Sequence, residues 1–297
     1  MKHLKKCAQA ALFAVGLVLF YFVIRSVEPS ELQKILPALG GWAWLIFLYY
    51  PFMCAWDVWA WKIVLERHHV APLPFKQLFW IRLAGEAVNN ITPFLDIGGE
   101  PLKIHLLNHD FGVSRKAALK ACLADRGLLL FSEIIFGIVG FALAIFCLPM
   151  TPEWKMGYTV TVVVLTLLST IFTIFFYTES KRKLLTATLY HFIGWAAGGI
   201  EMYFLFRIMG APITLAQGFT LEALIQIVRI LSFFIPANLG AQEGGLALFS
   251  QLLGFNPTLG IVVSLLKRIR QLIWTAVGFS VWGAFQLRFK NPKMFKH

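Results

Sequence analysis

The chain has 297 residues, 58% of them hydrophobic and only 14% charged, with a mean hydropathy of +0.71. A water-soluble domain carries nearer a quarter charged residues, so a soluble globular fold is excluded. The alternating pattern of a membrane β-barrel is absent. The net charge of +12 then reads as Lys and Arg held on the cytoplasmic side of a membrane, not as a nucleic-acid surface.

In chain order, "MKHLKKCAQAALFAVGLVLFYFVIRSVEPS" predicts a retained first span over 8–27, because its apolar run is longer than a signal core and no small-x-small cleavage site follows. Further spans are expected at 42–65, 127–148, 157–178, 185–209 and 269–287, each near the ~20 apolar residues that cross a bilayer. Two stretches between them, 74–126 and 212–268, are too long for ordinary loops and too apolar to be solvated. Cys7, Cys54, Cys122 and Cys147 lie in or beside apolar helices without CxxC spacing and read as small buried hydrophobes.

Cations set the orientation. Lys2, Lys5 and Lys6, the group Arg115, Lys116 and Lys120, the group Lys181, Arg182 and Lys183, and the tail all agree with cytoplasmic termini. The topology closes only if each interrupted stretch enters and leaves the membrane on one side. Such backbone is tolerated at membrane depth only when buried in protein or lining a wet cavity.

The two interrupted stretches repeat one another. "NNITPFLDIGGEPLKIHLLNHDFG" is matched by "FFIPANLGAQEGG" and the residues after it. Pro93 and Glu100 are spaced as Pro236 and Glu243 are, and Gly112 and Arg126 as Gly254 and Arg268 are. The spans before them run in opposite directions, so the copies are inverted, which in transporters marks a central binding site. The helix breaks are placed at Pro93, Gly98 and Gly99 and at Pro236, Asn238 and Gly240. The expectation is an all-α polytopic membrane protein with inverted structural repeats, about six full spans and two re-entrant broken-helix hairpins. It forms one transmembrane domain over 1–297: an N-terminal span in 1–40, a first repeat in 41–180 and a second in 181–297.

Charges within such segments are costly and face the bundle interior or a water-filled cavity. Arg82, Glu86, Glu100, Lys103, Arg126, Arg229, Glu243 and Arg268 are the candidate substrate-binding residues. Arg126, Arg229 and Arg268 would receive phosphate, since the guanidinium fork matches phosphate oxygens. Glu86 falls opposite Arg229 in the repeat, so the two are expected to pair across the axis; a static salt bridge holding the halves together is the plainer alternative. His105 and His109 have metal-ligand spacing but lack the Glu of HExxH, so no metal is expected. No phosphate-binding loop, serine-hydrolase elbow or dinucleotide fingerprint is present, and no cofactor is expected.

"RLAGEAVNNITPFLDIGGEPLKIHLL", then "ADRG", and later "IPANLGAQEGG" with "LLKR" resemble the flippase-like transmembrane region of lysylphosphatidylglycerol synthetases, in a stand-alone form without the synthetase domain. The resemblance implies movement of a lipid head group between leaflets of the cell's inner (cytoplasmic) membrane, and no enzymatic activity. The partner is then a lipid with an anionic, phosphate-bearing head group within the bilayer. A second copy of the chain and a lipid-synthesis enzyme are the protein partners considered. The competing readings are a membrane enzyme acting on lipid phosphate, with Glu100 or Glu243 as general base, and a non-catalytic partner of a lipid-modifying enzyme.

Overall fold

The computed structural model describes residues 40–92, 98–148, 151–176, 181–232 and 235–290, with scattered positions between 18 and 37. Most of the expected first span, the N-terminal lysines, Pro93 and Asp96 lie outside the described residues. Among the described residues every regular element is helical. The helices are α1 (Ala43–Arg67), α2 (Phe75–Ile91), α3 (Glu100–Phe111), α4 (Arg115–Cys147), α5 (Pro152–Phe176), α6 (Lys181–Ile208), α7 (Leu215–Leu231), α8 (Ala241–Leu252) and α9 (Pro257–Lys290).

The same run of lengths occurs twice. Helices α1 to α4 have 25, 17, 12 and 33 residues, and α6 to α9 have 28, 17, 12 and 34. Helix α5 stands between the two sets. The packing repeats as well: α1 lies on α6, α2 on α9, and α7 on α4. Exchanging the halves turns each of these pairings into itself or into another.

Local chemistry explains the repeated ends. Each 12-residue helix stops at a glycine with positive φ, Gly112 at 64° and Gly254 at 81°. Glycine reaches this left-handed region without the Cβ clash. Two residues later comes a cap for the next long helix. Ser114 Oγ accepts from Ala117 N at 3.3 Å, and Asn256 Oδ1 accepts from Thr258 N at 2.9 Å. Both satisfy amides that the first helical turn leaves open. Helix α7 starts on a full capping box between Thr214 and Gln217.

Each short helix folds back on the helix before it. A Cβ at Gly99 would come within 2.0 Å of the Gly85 carbonyl oxygen, so α3 packs directly on the backbone of α2. In the second half Gly245 of α8 lies against Val228 and Ile225 of α7. Without a hydrophobic drive between helices in lipid, small residues at such crossings let backbones approach and gain van der Waals contact. A 12-residue helix is about 18 Å long, well short of a hydrocarbon core of about 30 Å, so neither α3 nor α8 can cross alone.

Each half also has its own apolar core. Trp61, Leu65, Leu78, Ile81, Leu106 and Leu107 are buried together in the first. Met202, Leu205, Phe206, Leu221, Leu246 and Val263 are buried in the second. The outer faces remain apolar; Phe146 is 86% exposed and Trp44 71%. One described helix, α4, is both long and apolar enough to cross a membrane by itself. Helices α4 and α9 begin at 115 and 257, twelve residues before the spans expected at 127 and 269. The cations in those stretches sit on helix and not in connecting loops.

Candidate functional site

A cavity of about 290 Å³ lies between the two halves, with walls from α1, α2, α4, α6, α7 and α9 and from the second helix break. Five cationic side chains reach it: Arg82, Arg126, Arg229, Lys267 and Arg270. Four carboxylates accompany them, Asp57, Glu86, Glu133 and Glu222, together with His191. So many charges inside an apolar bundle fit a water-filled, polar-ligand site better than a packed core.

Two ion-pair networks organise this wall. In the first, Arg82 of α2 lies 2.9 Å from Asp57 of α1, 3.6 Å from Asp125 of α4 and 3.7 Å from Glu86 one turn along its own helix. His191 of α6 closes the group, with Nδ1 2.7 Å from Asp57 and Nε2 3.1 Å from Asp125. In the second, Lys267 of α9 lies 2.5 Å from Glu222 of α7 and 3.7 Å from Glu201 of α6, and Arg270 also pairs with Glu201. Gln226 donates to Glu222 at 2.9 Å, and Arg229 donates to Gln226 at 3.2 Å.

The networks occupy matching positions with exchanged signs. Arg82 is the eighth residue of α2 and Glu222 the eighth of α7. Asp125 is the eleventh residue of α4 and Lys267 the eleventh of α9. The expected pairing of Glu86 with Arg229 is therefore replaced: Glu86 pairs with Arg82 and lies 3.5 Å from the Asn89 amide, while Arg229 bonds Gln226. The physical reason is register. Pro93 stands two residues after the end of α2, but Pro236 stands five after the end of α7. An alignment anchored on the prolines thus slips by three in the preceding helices.

Of the sequence-derived site residues, Arg82, Glu86, Arg126, Arg229 and Asn238 line the cavity. Glu100, Lys103, Glu243 and Arg268 do not. Glu100 and Lys103 are buried and paired at 2.6 Å, and Lys103 lies over the Trp61 ring at 5.2 Å. Glu243, fully buried, accepts from the Gly240 amide at 2.8 Å and from Arg268 at 2.6 Å. Arg268 also donates to the Ala237 carbonyl at 3.0 Å, tying α9 to the helix break.

The breaks are held by their own side chains. Gly99 N donates to Asn89 Oδ1 at 2.6 Å, where the adjacent Gly98 and Gly99 lead into α3. Pro236 opens a 3-10 turn ending at Asn238, in which Ala237 and Asn238 take φ of 55° and 51°. Asn238 is best oriented with its amide nitrogen toward Ser232 Oγ at 2.8 Å and the carbonyls of Ser232 and Arg229 at 3.0 and 3.1 Å. The amides of Gly99 and Gly240 are thus occupied internally.

Asp57 and His191 carry the first network but were not singled out by sequence. The signal was present: each is a lone polar residue in an otherwise apolar run, "CAWDVWAW" and "TLYHFIGW". His105 and His109 stand with ring centroids 5.9 Å apart, and His109 lies 3.1 Å from Asp110; among the described residues no three His, Cys, Asp or Glu side chains are placed so as to hold a metal ion together.

A helical bundle with an apolar exterior and charges gathered inside is the architecture of a membrane protein. The model of the family described as the lysylphosphatidylglycerol synthase TM region matches residues 9–181 and 174–278. The chain belongs to this family. It is similar to a UPF0104 membrane protein of Methanothermobacter thermautotrophicus, at 22% identity over 91% of each chain.

Proposed function

We propose that the protein moves a lipid with an anionic, phosphate-bearing head group between leaflets, receiving the head group in the central cavity while the acyl chains stay in the bilayer. The observation that carries this is the cavity itself, which gathers five cations, Arg126 and Arg229 among them, between two halves of like construction. The family's lipid association supports the same reading. An enzyme using Glu100 or Glu243 as general base is disfavoured, because both carboxylates are buried, ion-paired and away from the cavity.

The direct test uses the purified chain in vesicles holding a trace of fluorescent phosphatidylglycerol, with fluorescent phosphatidylcholine as the zwitterionic comparison. Bleaching of the outer leaflet reports exchange. Phosphatidylglycerol should cross at least about tenfold faster than phosphatidylcholine, because the choline cation cancels the head-group charge and meets the cavity's cations, a penalty of about 1.4 kcal/mol. Equal rates for the two lipids would remove the anionic head group from the proposal.

The α2–α3 and α7–α8 hairpins enter this reading as re-entrant elements of inverted repeats in the inner membrane, with both termini cytoplasmic. Cysteines placed at His109 and Asn256, both exposed, in a background without native cysteines should then react with an impermeant reagent from opposite faces, His109→Cys from the cytoplasm. Reaction of both from one face contradicts the inverted arrangement.

A further inference from the structure

We propose that Asp57, His191 and Asp125 form a proton-binding site coupled to Arg82, so that capture of an anionic head group and uptake of a proton are one linked event. This rests on the head-group reading above.

The geometry is specific. His191 is completely buried, and each of its ring nitrogens faces a carboxylate oxygen. A neutral imidazole has one donor and one acceptor nitrogen, so it can satisfy only one of these carboxylates. Two ionised carboxylates therefore hold the ring as a doubly protonated cation. With Arg82 the ring then supplies two positive charges, shared among Asp57, Asp125 and the more exposed Glu86.

Asp57 is the member that meets both the cavity and the ring. Its carboxylate spends one oxygen on His191 and the other on Arg82, and its side chain keeps 21% of its surface open, against 2% for Asp125. Asp125 lies behind the ring and does not reach the cavity. The arrangement runs from cavity to interior: Asp57, then imidazole, then Asp125.

Other charged groups surround it without touching the ring. Glu86 on α2 shares Arg82, and Arg126 and Glu133 on α4 line the neighbouring wall. Glu222 on α7 and Lys267 and Arg270 on α9 also line the cavity and are paired in the second network. Arg229 on α7, bonded to Gln226, and Tyr50 and Cys54 on α1 are the remaining titratable groups of the wall. None of these offers the imidazole a second acceptor or donor, so the two aspartates define its proton balance.

An arriving phosphate competes with Asp57 for the Arg82 guanidinium. Once Arg82 turns to the ligand, Asp57, Asp125 and Glu86 lose the cation they share, and one negative charge that it had offset is left uncompensated. A proton from cavity water restores the balance: hydronium gives up its proton to the freed Asp57 oxygen and becomes water. The imidazole N–H continues to donate to the other oxygen. By linkage, whatever protonates the site must strengthen head-group binding by the same factor.

Calorimetry on the purified full chain with dihexanoyl phosphatidylglycerol tests this, with affinity followed across a pH series and the heats compared at one pH in two buffers of different ionisation enthalpy, PIPES and Tris. Up to about one proton should be taken up per lipid, and apparent affinity should rise by up to about tenfold for each unit of falling pH. Asp57→Asn should remove the buffer dependence. Lipid binding with equal heats in both buffers overturns the coupling and leaves the head-group reading standing. Absence of lipid binding at every pH overturns both. The wild-type comparison decides the matter even if Asp57→Asn fails to fold.

Discussion

Alanine at Arg126 or at Arg229 should lower phosphatidylglycerol exchange in vesicles by tenfold to roughly a hundredfold. Each guanidinium lines the cavity, and a hydrogen bond to a charged partner is worth about 1.5–3 kcal/mol. Lysine at either position should restore part of the rate, because a point charge lacks the planar fork that grips two oxygens at once. Arg268→Ala should behave differently. Arg268 is spent on Glu243 and the Ala237 carbonyl, so its loss should depress folded yield more than the rate per folded molecule. Wild-type exchange in both Arg126→Ala and Arg229→Ala would show that these cations are structural and would sink the phosphate site.

Arg82→Gln should cost about 3–5 kcal/mol of stability, the usual penalty for breaking one partner of a buried charge pair. The guanidinium is 4% exposed and stands between Asp57 and Asp125; without it those two carboxylates have only His191 to share. Thermal unfolding in detergent is the measurement. Adding Asp125→Asn should recover part of the loss, because the second substitution removes the charge that the first one stranded. Strictly additive losses would mean that Arg82 and Asp125 do not interact.

Much of this frame was legible in the residues. The apolar runs announced α1, α5 and α6, and the doubled Pro-Gly-Glu pattern announced the breaks before the short helices α3 and α8. Glycines 112 and 254 marked matching helix ends because positive φ leaves few other choices. The starts of α4 and α9 were hidden because Arg115, Lys116 and Lys120, and again Lys267 and Arg268, interrupt the apolar runs that mark a span. Charge says nothing about helicity when a side chain is long enough to reach a distant partner. The pairing partners were hidden for another reason. Which carboxylate meets Arg82 depends on three helices distant in sequence, and a break whose proline sits three residues later in one copy shifts every pairing inferred by alignment.

The reversed signs of the two networks bear on how such a chain diverges. Arg82 and Asp125 complete each other within the first half, and Glu222 and Lys267 within the second. A reversal at one member can be answered by a reversal at its neighbour, although in the first network His191 of α6 also bonds Asp125 from the other half. Two halves of like helix lengths can differ in polarity while the backbone frame stays fixed. Kinship in this frame is carried by where a charge sits, and its sign is free to invert whenever its partner's does.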